Sequence, residues 1–97
     1  MIQNINRGIA LLDKMYGKNW VKSIALQELD QVNLNTCVIG QLFGGEKFYN
    51  DKVPNLNAAC HHGFELPFGE DSDEEYEELT HLWRTRLIQL LKERERR

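Results

Sequence analysis

The sequence lacks any apolar run near the ~18 residues that a membrane-spanning helix needs. Its opening, Met1-Ile2-Gln3-Asn4-Ile5-Asn6-Arg7, lacks the basic-then-apolar layout of a secretion signal. Both absences point to a cytoplasmic protein with no membrane partner. The two cysteines, Cys37 and Cys60, lack the close C-x-x-C type of spacing found in structural zinc sites, and without a secretion signal they read as reduced thiols. The glycines form neither a G-x-G-x-x-G fingerprint nor a P-loop, which removes the common phosphate cradles. There is no excess of base: the net charge is −3, which gives no global electrostatic reason to bind nucleic acid. No internal repeat or long low-complexity segment is visible.

What is present is ordinary for a single globular domain spanning residues 1–97, with 41% hydrophobic and 28% charged residues. The charge is unevenly placed. Residues 1–69 carry six acids and six bases, residues 70–78 carry seven acids and no base, and residues 79–97 carry six bases and two acids. A chain of this size holds a modest core and is marginally stable on its own.

The periodicities predict an all-α fold, a small bundle of four or five helices with a long capped C-terminal helix. Residues 4–16 form an amphipathic helix, with Asn4 as N-cap, Ile5, Ile9, Leu12 and Tyr16 on one face, and Gly17 as the stop. Gly8 inside it costs ~1 kcal/mol relative to alanine, so either another backbone packs there or the helix tolerates it. Asn19 caps a short helix from Trp20 to about Ile24, and a further turn runs through Leu26 and Leu29. The most apolar stretch, Asn35 to Gly45, reads as a short buried helix capped by Asn35 or Thr36 and stopped at Gly44-Gly45. Residues 45–54 are turn-rich, with Phe48 and Tyr49 as anchors. Asn55 caps another short helix that ends at Gly63, and Phe64, Leu66 and Phe68 alternate towards the core.

The terminal helix is the clearest element. Ser72-Asp73-Glu74-Glu75 is a capping box, and acids crowd the first turns while bases crowd the last, in keeping with the helix dipole. Tyr76, Leu79, Trp83, Leu87 and Leu90 form its main stripe. Leu82, Ile88 and Leu91 lie off that stripe, so the helix is apolar around more than one face. That surplus predicts a homo-oligomer.

Five kinds of chemistry have residues to support them. Cys37, Cys60, His61, His62 and His81 are zinc-type ligands, but adjacent side chains on a helix diverge, and packing plus helix-end capping is the simpler role; neither a metal nor another cofactor is expected. Cys37 with His61 or His62 could form a nucleophile–base pair, the basis of an alternative reading as a small cysteine or metal-dependent hydrolase; no third orienting group or oxyanion loop accompanies it, and no catalytic residue is assigned. Arg7, Lys18, Lys22, Arg84 and Arg86 lie near helix ends and could line a site for an anionic, nucleotide-like ligand at a subunit seam. In the basic tail, Glu93 and Glu95 argue against nucleic acid. The acidic opening of the last helix exceeds what a cap needs, so Glu74 and Glu78, with Leu87, Ile88 and Leu91 further along, are candidates for contact with a partner protein.

The pieces Arg7-Gly8-x-x-Leu11-Leu12-Asp13, Trp20, Cys37-Val38-Ile39-Gly40-Gln41-Leu42-Phe43-Gly44, His62-Gly63-Phe64 and Leu79-Thr80-x-x-Trp83 resemble a widespread set of small bacteriophage and prophage proteins. The resemblance runs in order over most of the chain. It brings no catalytic residues with it. It implies a viral or prophage product in the cytoplasm of a bacterial host, of a kind that often acts by binding a host or defence component; with the charged residues above, the expectation is a non-enzymatic binding protein that counters or modulates a host function by sequestering an anionic nucleotide-like ligand or a host protein.

Overall fold

A computed structural model describes residues 1–33, 36–43 and 55–95, the side chain of Phe43 excepted. Among these residues the chain is all-helical, with four α-helices and two 3-10 helices and no strand. Helix α1 is Ile2–Tyr16, α2 is Val38–Phe43, α3 is Leu56–His61, and α4 is the long terminal helix Asp73–Glu95. The 3-10 helices Lys18–Ser23 and Leu26–Glu28 connect α1 to the centre. No described helix is long and apolar enough to cross a membrane.

Trp83 of α4 is fully buried, and its indole N–H donates to the Gly63 carbonyl at 2.7 Å. The Phe64 ring stacks on it with centroids 5.9 Å apart, and His62 stacks on Phe64 at 6.1 Å. Ile5, Ile9 and Leu12 of α1, Val38 and Ile39 of α2, and Leu79 and Leu87 of α4 complete the centre of the core. The three-residue turn His62-Gly63-Phe64 therefore sits at the middle of the molecule.

Helix α1 meets that turn backbone to backbone. Asn4, Arg7 and Gly8 share one face of α1, being three and four apart. The Asn4 amide donates to Cys60 O at 2.9 Å, and Arg7 Nε donates to His61 O at 2.8 Å. These are carbonyls at the end of α3: Cys60 O also accepts from Gly63 N–H at 3.0 Å, while His61 O lies past the last helical turn. Gly8 lies against the His62 carbonyl, and an added Cβ would run into that oxygen. Of the two roles open to Gly8, close backbone approach is the one observed. Gly63 has φ +73° and lies against the backbone of Ile5, so it too has no room for a side chain.

Several local expectations change. Asn4 is not the cap of α1; the helix starts two residues earlier, and the Asn4 amide bridges to α3 instead. Asn19 does not cap the next segment, which begins at Lys18 as a 3-10 helix after Gly17. Thr36 does not cap α2: the residue before Val38 is Cys37, whose Sγ accepts from Gly40 N–H at 3.2 Å. Asn35, the Gly44-Gly45 stop, Phe48 and Tyr49 lie outside the described residues. Asn55 caps α3 as expected, its side chain accepting from Ala58 N–H at 2.9 Å. Phe64 and Leu66 are buried but Phe68 is 86% exposed, because Pro67 to Glu70 close a turn and Gly69 takes φ +86°. At the head of α4, Ser72 Oγ accepts from Glu75 N–H and its hydroxyl donates to the Glu75 carboxylate, both at 3.3 Å.

The stretch 24–33 has little regular structure, so its peptide groups need partners from elsewhere. Side chains supply them. Gln31 is buried: its Oε1 accepts from Val38 N–H at 2.9 Å, and its own backbone N–H donates to Thr80 Oγ1 at 3.0 Å. The Gln41 amide pairs with both the N–H and the carbonyl of Ala25, at 2.6 and 3.2 Å.

The apolar surplus of α4 is mostly covered within one chain. Leu87 and Leu90 are buried, Leu82 and Leu91 are half-buried against the core, and Ile88 stays 39% exposed. Leu87 therefore offers no surface to a partner, and Leu91 offers only part of one. The helix face that predicts self-association is reduced to Ile88 and the uncovered parts of Leu82 and Leu91.

Candidate functional site

The five predicted cations do not form one site. Arg84 is half-buried and structural: Nε donates to Leu26 O at 3.0 Å and an Nη to Leu29 O at 3.1 Å, closing carbonyls of the irregular stretch. Arg86 donates to Asn6 Oδ1 at 3.0 Å, and Arg7 to His61 O as described. Three of the five therefore hold the fold together. Lys18 and Lys22 are exposed and line one shallow cleft of about 200 Å³. Its other walls are Asn19, Val21, Leu91 and Arg94. Sequence reasoning missed Arg94, because its role depends on Asp13, and nothing local links positions so far apart. The Arg94 guanidinium donates to Asp13 Oδ2 at 2.7 Å and to Lys18 O at 2.9 Å. Asp13 Oδ1 in turn accepts from the Trp20 indole at 2.7 Å.

The cysteine–histidine pairing finds no support in the geometry. Cys37 is 2% exposed, and its thiol is pushed up first by burial, with Gly40 N–H pulling weakly the other way. A buried, protonated thiol is a poor nucleophile and out of reach of substrate. Cys60 is half-buried and likewise held up, first by burial and then by the Glu65 and Glu70 carboxylates. His62 Nδ1 donates to Ala58 O at 2.8 Å, a helix-end role, while His61 is exposed. Partial desolvation, then the Arg7 guanidinium, keep the His61 imidazole below the ordinary histidine value. Among the described residues no three His, Cys, Asp or Glu side chains converge as metal ligands would.

The acidic surface is intact. Glu70, Asp71, Asp73, Glu74, Glu77 and Glu78 are exposed, and Glu75 is half-buried at the cap. None of the seven pairs with a base among the described residues, where the ion pair is Arg94–Asp13. Two apolar side chains stand beside this field. Phe68 projects from the turn that leads into it, and Val32, 56% exposed, shares a hollow of about 180 Å³ with Asp30, Asp73, Tyr76 and Glu77. A larger hollow of about 300 Å³ lies behind the Phe68 turn, with Glu65, Glu70 and Glu75 among its walls. Burial raises the Glu65 carboxyl above the usual carboxylate range. The sequence marked the acids; Phe68 was hidden in an alternating apolar pattern that suggests a core position, and Val32 sits in an asparagine-rich break between helices.

No protein-family model, curated protein or solved structure matches this chain.

Proposed function

We propose that this chain is a non-enzymatic binding protein of the bacteriophage or prophage type, which counters or modulates a function of a bacterial host by occupying a basic surface of a host protein. The observation that supports this reading is the exposed acidic opening of α4, unneutralised by any described base. A field of one sign speeds encounter with the opposite sign and rejects acidic competitors. It does little to hold a complex once formed, and that role falls to apolar contact. Phe68 and Val32, flanking the acids, are the side chains placed to supply it; an aromatic anchor within a charged rim is the common composition of an interface hot spot. The Cys37 hydrolase reading has no observation in its favour. A single seam site for an anionic ligand is not favoured, because Arg7, Arg84 and Arg86 are turned to hydrogen bonds in different parts of the fold and do not line the cleft that holds Lys18 and Lys22.

The test is capture of a host protein on immobilised wild-type chain, followed by the same measurement with variants. Glu74→Gln with Glu78→Gln should slow association about three- to tenfold and flatten its salt dependence, as loss of two rim charges does. Phe68→Ala should speed dissociation about tenfold or more. Glu74, Glu78 and Phe68 are exposed, so these variants should melt like the wild type. A captured protein that binds the triple variant as well as the wild type would refute the reading.

A further inference from the structure

The cleft beside the first 3-10 helix is separate from the acidic surface and shares no residue with it. We infer that it binds a phosphate monoester carrying a small apolar body. Three cations line it, Lys18, Lys22 and Arg94, and no acid is among its described lining residues. Val21 and Leu91 give it an apolar wall, and the exposed Asn19 adds an amide.

The three cations differ in character. Lys18 and Lys22 are exposed ammonium groups with no hydrogen-bond or ion-pair partner among the described residues. Each is free to turn towards an anion. Arg94 is half-buried and fixed in place by Asp13 and the Lys18 carbonyl. A fixed guanidinium with N–H groups beyond those two hydrogen bonds is a directional donor for phosphate oxygens, while the lysines act as adaptable point charges. With Asp13 counted, the local balance is three bases to one acid, a net +2, which suits the charge of an ionised phosphate monoester. At about 200 Å³ the cleft falls below the usual size for a whole drug-sized ligand. It fits a phosphate head group and the first few apolar atoms behind it, with the rest of the molecule outside.

Asp13 links the cleft to a built-in reporter, since its two carboxylate oxygens accept from Arg94 and from the Trp20 indole. An anion drawing on Arg94 weakens its hold on Asp13 and changes the electrostatics at Trp20. Trp83, the second tryptophan, bonds to Gly63 and lines no part of the cleft.

The experiment titrates the full chain with inorganic phosphate, phenyl phosphate, AMP and neutral phenol, by calorimetry and by tryptophan fluorescence. Phenyl phosphate or AMP should bind with a Kd of roughly 1 mM or better, tighter than inorganic phosphate and with phenol inactive. The tighter of the two distinguishes a small phosphate ester from a nucleotide as the source of the ligand. Lys18→Ala and Lys22→Ala should each weaken binding about threefold, and the double variant about tenfold, as exposed charged contacts do. Trp20→Phe should abolish the fluorescence change. Phosphate esters binding no tighter than inorganic phosphate, or equal binding by the folded Lys18→Ala/Lys22→Ala double variant, would overturn the assignment. Protein capture through Glu74, Glu78 and Phe68 is measured separately and is indifferent to the lysine changes, so each proposal can fail alone.

Discussion

Replacing Gly8 by alanine sets helix propensity against tertiary packing, and the two give opposite signs. In an isolated helix the exchange stabilises by about 1 kcal/mol. In this fold the new methyl meets the His62 carbonyl oxygen, which is backbone and cannot swing aside as a side-chain tip can. Relief requires α1 to move off the turn. That movement lengthens the Asn4–Cys60 and Arg7–His61 hydrogen bonds, at 2.9 and 2.8 Å, which lie on the same face. Losing both costs about 1–1.5 kcal/mol apiece, and the overpacking itself about 1–3 kcal/mol. After the propensity gain, the net loss is about 2–5 kcal/mol. In a domain of this size that lowers the melting temperature by roughly 10–25 °C. Urea titration followed by circular dichroism measures it. The matched control is Ala10→Gly, at an exposed position of the same helix, which should cost about 1 kcal/mol from propensity alone. Opposite exchanges would then both destabilise. A Gly8→Ala variant as stable as the wild type, or more so, would refute the close approach of α1 to the turn and with it the packing at the centre of the fold.

Arg84→Ala should cost about 2 kcal/mol of unfolding free energy, because Leu29 O loses its guanidinium donor and Leu26 O keeps only the 3.4 Å bond from Leu29 N–H, while phosphate-ester binding by the folded variant stays unchanged; denaturant midpoints and calorimetry read the two effects separately. Glu65→Gln should stabilise at neutral pH. The Glu65 carboxyl titrates higher in the folded chain than in the unfolded one, so its contribution is most favourable below the unfolded carboxylate pKa and is lost as pH rises through the folded value. The advantage of the variant over the wild type should therefore shrink as urea midpoints are taken from about pH 7 down to about pH 4; an advantage independent of pH would contradict it.

The helices that could be read from sequence are those whose signals are local. In α4 the cap, the charge gradient and the apolar stripe all lie within the element and agree, and Leu79, Trp83, Leu87 and Leu90 are buried as that stripe requires. Asn55 and Gly63 bracket α3 in the same way. The errors fall where a polar side chain serves a distant backbone. Gln31, Gln41 and Thr80 look like surface residues in a linear reading, yet they satisfy the peptide groups of a stretch that has no ladder of its own. Arg84 reads as a ligand-binding cation in the sequence for the same reason. The signal that could have found them is indirect: a segment without regular periodicity between buried helices must be hydrogen-bonded by something. Of the candidate sites, the acidic run was legible because exposure of charge is the default. The cationic cleft was legible only in part, since Arg94 reaches Lys18 and Asp13 through the fold.

The clasp on α1 also bears on how the chain is made. Asn4 is bonded to a carbonyl 56 residues later, and Asp13 to a guanidinium 81 residues later. The first helix therefore leaves the ribosome long before its partners exist. Pairings this remote in sequence are slow to close. Until then Ile5, Ile9 and Leu12, buried in the finished fold, stay uncovered, and apolar surface exposed in this way is what a nascent chain aggregates through.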